Sequence, residues 1–245
     1  MSAMLDTAID PPPFRLLPGA DRPPLLLVCD HAGQAIPAAL GDLGLAPRDR
    51  GRHAAYDIGA EWVARALAAR FGAPLLLGSF SRLVVDLNRD PADPTSMPAE
   101  SDGTLVPANR DLAPAARERR LAALFHPYHA AVERLLADHP GVPLLSVHTC
   151  TPIMGGVWRP WQIGVLWGQD GRLALPLIAA LRRDLSLNVG DNQPYSGRGG
   201  KGYTIARHGA GRMHASVELR QDLVATPAGA AYWAGVLGDG LAAVL

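Results

Sequence analysis

The chain alternates short runs of uninterrupted apolar residues with longer stretches of helical spacing, and the two recur in turn from residue 25 to the end. Residues 25–29 are apolar at every position, which predicts a strand buried on both faces. From 54 to 71 the apolar positions Ile58, Trp62, Ala66 and Leu67 follow a helical period, and Gly72 stops that helix. Two more apolar runs, 75–77 and 83–87, are bounded by Gly, Ser and Arg and read as strands. A helix over 115–138, strands over 142–148 and 163–167, a helix over 173–185, a strand over 215–219 and an amphipathic helix over 226–245 complete the pattern. Strands alternating with helices predict an α/β protein with a parallel or mixed sheet.

The interruptions are as informative as the elements. Residues 1–22 form a Pro-rich leader containing Pro11-Pro12-Pro13, expected to be flexible, ahead of a single domain over 23–245. Residues 90–114 hold five prolines and four aspartates with little apolar periodicity. Residues 190–202 are rich in glycine and almost free of aliphatic side chains. Long loops in a compact domain are often functional, and these two are expected to cap a site.

Charge narrows the function classes. The 245 residues carry 23 basic and 23 acidic side chains, so no basic field exists for nucleic acid or an anionic membrane, and specificity must come from local charge. No segment has the length of a bilayer span and the start of the chain lacks an apolar signal core, so a cytoplasmic protein is expected. Cys29 and Cys150 each lie two residues from a strand-end histidine, so they could be neighbours in space, and two buried, reduced thiols are expected.

Three of the apolar runs end in reactive side chains. Ser81-Arg82-Leu83-Val84-Val85-Asp86-Leu87-Asn88-Arg89 closes on Asn88 and Arg89, and a guanidinium at a buried strand end needs an anion, so this end reads as a carboxylate clamp with Arg82 beside it. Leu25-Leu26-Leu27-Val28-Cys29-Asp30-His31 and Val142-Pro143-Leu144-Leu145-Ser146-Val147-His148 each end in histidine. Open α/β sheets bind ligands at the carboxyl ends of their strands, so the three ends predict one site. Alone, either histidine is more often a hydrogen-bonded core residue; the pair favours zinc, which then needs a third ligand. A His-x-x-Glu spacing from His31 reaches Gln34, a poor ligand. Asp57, at the expected start of a helix, is the better candidate, although a helix-dipole role would explain it too, and His53 is a weaker alternative. Glu218, on the last strand, suits the role of general base and acid beside an activated water, against the plainer reading of an ion pair with Arg220. His126 and His129 share a helical face and either contact substrate or fix the helix start. The glycines around Lys201 do not make a phosphate loop, because Gly202 follows the lysine in place of Ser or Thr. They suit a lid carrying Tyr195, Arg198 and Tyr203 toward a ligand.

Taken together, Cys29-Asp30-His31-Ala32-Gly33, Tyr56-Asp57-Ile58-Gly59-Ala60, Ser81 to Arg89, Ser101-Asp102-Gly103-Thr104, His126-Pro127-Tyr128-His129, Ser146-Val147-His148, Gly190-Asp191-Asn192-Gln193-Pro194-Tyr195-Ser196 and Glu218-Leu219-Arg220-Gln221-Asp222-Leu223 resemble the N-formylglutamate amidohydrolase family. The resemblance implies an α/β/α sandwich with a mixed sheet, similar to zinc carboxypeptidases and the aspartoacylase group. It implies one zinc ion on His31 and His148, an Asn88-Arg89 pair on a substrate carboxylate, and Glu218 as base. Asp57 as the middle ligand is inferred, since Gln34 departs from the pattern. The expected substrate is a small N-acylated amino acid. The alternatives are a metallo-carboxypeptidase and a non-catalytic carboxylate-binding protein using Arg82, Asn88 and Arg89.

Overall fold

The computed structural model describes residues 4–199 and 202–245; Gly200 and Lys201, in the expected lid, lie outside them. Seven strands form one mixed sheet: β1 (Phe14–Leu17), β2 (Leu26–Cys29), β3 (Leu75–Gly78), β4 (Leu144–Cys150), β5 (Ile163–Leu166), β6 (Val189–Asp191) and β7 (His214–Arg220), in the order β1-β3-β2-β4-β7-β5-β6. The four central strands β3, β2, β4 and β7 are parallel, so their carboxyl ends share one edge. β1 runs against β3, and β5 with its parallel partner β6 runs against β7.

Successive residues of a strand point to opposite faces, and here both faces are covered. Leu25, Leu27, Leu75, Leu77, Val147 and Val217 meet the helices α1 (Ala60–Phe71), α4 (Ala174–Leu181) and α7 (Pro227–Ala242). Leu26, Val28, Leu76 and Leu144 meet Leu83–Val85 and the helix α3 (His126–Asp138) on the other side. The result is a three-layer α/β/α sandwich with a mixed sheet, as expected. Among the described residues no helix is long and apolar enough to cross a membrane.

Several expectations change or sharpen. Residues 83–87 are buried but form turns, not a strand. The Ser81 hydroxyl accepts from the Leu83 amide, the Val84 amide donates to the Ser81 carbonyl, and the Asp86 carboxylate accepts from the Asn88 amide, so local bonds take the place of a ladder. The leader is not wholly flexible: Phe14–Leu17 is an edge strand, held further by the bidentate pair of Arg15 with Glu61 at 2.9 and 2.8 Å. The loop at 90–114 is pinned, with Asn109 donating to the Leu83 and Pro98 carbonyls and Arg117 to the Asp93 carbonyl. Finally, Val28 pairs with Ser146 in the register, which puts Cys29 level with Val147 and about 10 Å of strand short of Cys150. Both thiols are buried and free, as expected, but they are not neighbours.

The helix expected over 115–138 is broken into α2 (Pro114–Arg120), a π-helical turn (Leu121–Phe125) and α3. Pro127 has no N–H to donate, and the change of hydrogen-bond register falls just before it. Two short helices, α5 (Tyr203–His208) and α6 (Gln221–Val224), were not expected.

Candidate metal centre and active site

His31 leaves the sheet two residues beyond β2, and the turn after it passes so close to β3 that a Cβ on Gly33 would lie 2.0 Å from the Ser79 carbonyl oxygen. Asp57 reaches the same edge from the loop before α1. Gly59, the cap of that helix, has φ +81°, and a Cβ there would meet the Val224 carbonyl oxygen at 2.2 Å, so only glycine lets the chain turn here. The helix therefore starts at Ala60, not 54, and frees Asp57 to face inward. Its amide donates to the His31 carbonyl at 2.9 Å, tying the two loops together. His148 lies within β4, and Glu218 on β7 is its partner in the register, on the same face.

One nitrogen of each histidine points at Asp57. His148 Nδ1 is 2.9 Å and His31 Nδ1 3.5 Å from Asp57 Oδ2, and the donor atoms of His31, Asp57 and His148 lie within 4.8 Å of one another, all buried. The opposite nitrogens are held from behind. His31 Nε2 is 2.7 Å from Asp86 Oδ1, while His148 Nε2 is 2.9 Å from Ser146 Oγ and 3.2 Å from Asp30 Oδ2. Asp30 itself accepts from the Tyr128 and Thr204 hydroxyls at 2.7 and 2.9 Å. A carboxylate behind each ligating histidine orients the ring and raises its basicity, the usual support of a metal site.

The electrostatics fit a cation. Burial opposes charge on His148, but its bonds to Asp30 and Asp57 hold its pKa well above the ordinary value, and Asp86 and Asp57 raise that of His31 in the same way. Both histidines are thus biased toward positive charge by the carboxylates around them, a surrounding that suits a cation. His31 Nδ1 has no hydrogen-bond partner although it is buried, and this orphaned donor atom faces the point where an ion would sit. His31, Asp57 and His148 can hold a metal ion.

Glu218 is only 8% exposed, and its Oε2 has no partner. Burial pushes its carboxyl up to about 8, with the charge of His148 pulling the other way and that of Asp57 adding to the rise. A carboxyl poised near neutrality can both take and return a proton.

The other expected residues divide. Arg82 joins the cluster, with its guanidinium 2.8 Å from Asp86 and 3.4 Å from Asp57. The Asn88 side chain lies 3.4 Å from His148 Nε2 and accepts from the Thr204 amide, while Arg89 keeps a side chain 43% exposed beside Asp86 and Asp93. Tyr195 lies under the Arg159 guanidinium and feels the charge of Glu218. Arg198 is exposed and stacks on Trp167, 4.5 Å from the ring centre, away from the cluster. Gln34 is exposed and lines a separate cleft with Ile36, Asp42 and Arg50. His53 comes within 3.9 Å of Asp57, but burial lowers its pKa to about 4, so it stays neutral at the margin. His126 is exposed, and His129 pairs with His208 and the Leu87 carbonyl. Tyr203 opens α5 and packs on Phe125 and His129.

Asp30, Asp86 and Arg159 went unassigned in the sequence. Charged residues inside or beside apolar runs were the available signal for the two aspartates. Asp30→Asn is expected to weaken metal affinity about 10–100-fold by loosening His148. Burial would raise the Asp30 carboxyl, yet the His148 hydrogen bond and the His148 and His31 charges lower it to about 2. Asp57 and Asp86 are depressed as well. The stability these groups give the metal-free protein is present above the ordinary aspartate value near 3.8 and is lost as pH falls through their folded values. The urea midpoint of metal-free protein should therefore drop between about pH 4 and 2, less steeply in Asp30→Asn.

An α/β/α sandwich with a His-Asp-His cluster and a buried glutamate at the carboxyl edge of its sheet defines a protein able to hold a metal ion beside an acid-base group. The chain belongs to the N-formylglutamate amidohydrolase family, whose model matches residues 23–225. It is similar to a gene product of Agrobacterium tumefaciens of known crystal structure, at 35% identity and a TM-score of 0.93, over 98% of this chain and 96% of that one. It is similar also to an N-formylglutamate amidohydrolase from Ralstonia eutropha, at 26% identity and a TM-score of 0.62, over 94% and 96%. No curated protein sequence matches the chain.

Proposed function

We propose that the protein is a zinc-dependent amidohydrolase that removes a small acyl group from an N-acylated amino acid, with N-formylglutamate the substrate its family membership favours. The observation that carries this reading is the convergence of one donor atom each from His31, Asp57 and His148 within 4.8 Å, with Glu218 across the β4–β7 pair. Two imidazoles and a carboxylate make a three-ligand set suited to zinc, which when bound supplies a Lewis acid for the scissile carbonyl and acidifies a water.

The chain's own residues then have distinct roles. Glu218 takes a proton from the attacking water and returns it to the departing nitrogen, so that a C–O bond forms, the C–N bond breaks, and a carboxylic acid and a free amine leave. Arg82 holds Asp57 and Asp86 in place. Arg89 and Asn88 bind the α-carboxylate of the amino acid, Arg89 through a charge-assisted contact. Arg89→Lys keeps the charge but loses the fork, and is expected to lower kcat/KM about 10-fold on N-acyl amino acids while sparing their carboxyl amides. Equal loss on both would assign Arg89 to the fold. The reading as a whole is tested by metal analysis of the purified protein together with formate release from N-formylglutamate. One zinc per chain and turnover that chelation abolishes are expected; metal-free, fully active protein would overturn it.

A further inference from the structure

Asp30 is completely buried, and its Oδ2 faces His148 at 3.2 Å. Its other oxygen, Oδ1, accepts two hydroxyl groups from two different helices, Tyr128 of α3 at 2.7 Å and Thr204 of α5 at 2.9 Å. Among the described residues the Tyr128 hydroxyl makes this bond alone. Thr204 does more. Its amide donates to Asn88 Oδ1 at 3.0 Å, and the amide of Tyr203 just before it donates to the Asn88 carbonyl at 3.1 Å. One completely buried residue thus holds the carboxylate behind a metal-site histidine with its side chain and the Asn88 side chain with its backbone.

These bonds fix which way Asn88 points. With Oδ1 taken by the Thr204 amide, the NH2 group is left toward the cluster, where Nδ2 lies 3.4 Å from His148 Nε2. Asn88 therefore presents donors to an anion and keeps its own oxygen away from it.

The rest of α5 is pinned, so Thr204 has little freedom to move. Burial lowers the pKa of His129 to about 4, so its ring is neutral, and Nε2 donates to the Leu87 carbonyl at 2.9 Å. Nδ1 must then accept, and His208 Nε2 at the end of α5 donates to it at 2.9 Å. Arg207 pairs with Glu133 of α3 at 2.7 Å. The Leu87-Asn88 segment is gripped by α3 and α5 together, and Thr204 is the point where that grip meets Asp30.

We propose that Thr204 is a positioning residue that joins the two halves of the site, so that carboxylate binding at Asn88 and metal binding by His148 strengthen each other. This rests on the hydrolase reading for the roles of the metal and of Asn88. Such coupling is reciprocal.

The test measures L-glutamate binding by calorimetry with and without zinc, and zinc affinity by chelator competition, in wild type, Thr204→Val, Thr204→Ser and Tyr128→Phe. In wild type zinc should tighten L-glutamate binding about 10-fold or more. Thr204→Val and Tyr128→Phe each remove one hydroxyl from the same Asp30 oxygen, and both should weaken zinc binding about 10-fold. Only Thr204→Val should also cut the effect of zinc on L-glutamate binding, to about threefold or less, and Thr204→Ser should restore it. Coupling that persists in Thr204→Val, or that falls equally in Tyr128→Phe, would overturn the assignment. If the valine variant fails to fold, hydrogen exchange of wild type decides: zinc should slow the amides of 203–208 more than those of 174–181 in α4, and equal slowing would overturn the coupling. Wild type that binds zinc and L-glutamate but hydrolyses no N-acyl amino acid would sink the hydrolase reading, and the binding comparison would still decide Thr204.

Discussion

Replacing Glu218 with glutamine should lower kcat by about 10²–10⁴-fold while leaving the fold, the metal content and, within a few-fold, KM unchanged. The amide is nearly isosteric and neutral, and the wild-type carboxyl is itself held up to about 8 by burial, so little electrostatic support is lost from the ground state. What disappears is the ability to accept a proton. The pH profile gives an independent check with a definite sign. The base works only when deprotonated, so wild-type kcat/KM falls on the acid side, and a cation among His31, Asp57 and His148 draws that limb below pH 8. The glutamine variant should lack the limb. Turnover near the wild-type rate in Glu218→Gln would move the base elsewhere.

Asp57→Asn should strip most of the metal from the protein. Asp57 Oδ2 faces both histidine Nδ1 atoms and also accepts from the Thr149 amide at 3.2 Å, while Oδ1 lies 3.4 Å from Arg82, so one carboxylate gathers the whole cluster. Removing its charge leaves Arg82 facing the ligand position without a counter-ion on that side. Metal per chain should fall to about a tenth of wild type or less, and kcat/KM by about 10³-fold or more, with His31→Ala and His148→Ala behaving alike. Gln34→Ala and His53→Ala serve as the controls, because Gln34 faces another cleft and His53 stands at the margin; both should retain their metal. Full occupancy in Asp57→Asn would hand the middle position to Gln34 or to water, and loss of metal in Gln34→Ala would assign it to Gln34.

Much of this arrangement was legible in the chain. Runs with no polar interruption, such as 25–29 and 75–77, can only be buried on both faces, and their alternation with helical stretches gave the α/β class. Histidines at the ends of two such runs pointed to the site, because a pair of them at neighbouring strand ends favours a shared ion where a single one would more often be a hydrogen-bonded core residue. The same logic failed at 83–87, where the run is buried as forecast but Ser81 and Asp86 bond the backbone locally and deny it a ladder. Apolarity reports burial and does not by itself report conformation. It failed also for Arg198, whose loop position gave no hint that Trp167 would hold it outside.

The sequence by itself determined the class of fold and singled out two histidines, a glutamate and an Asn-Arg end as candidates, since each follows from local patterning or residue chemistry that the chain displays directly. Tertiary structure alone brought Asp57 and not Gln34 to the two histidines, paired Arg82 with Asp57 and Asp86, and placed Asp30 and Asp86 behind the histidines. Those outcomes depend on which residues distant in the chain come within about 3 Å of one another, and that is set by strand order and register, which no single stretch of residues encodes.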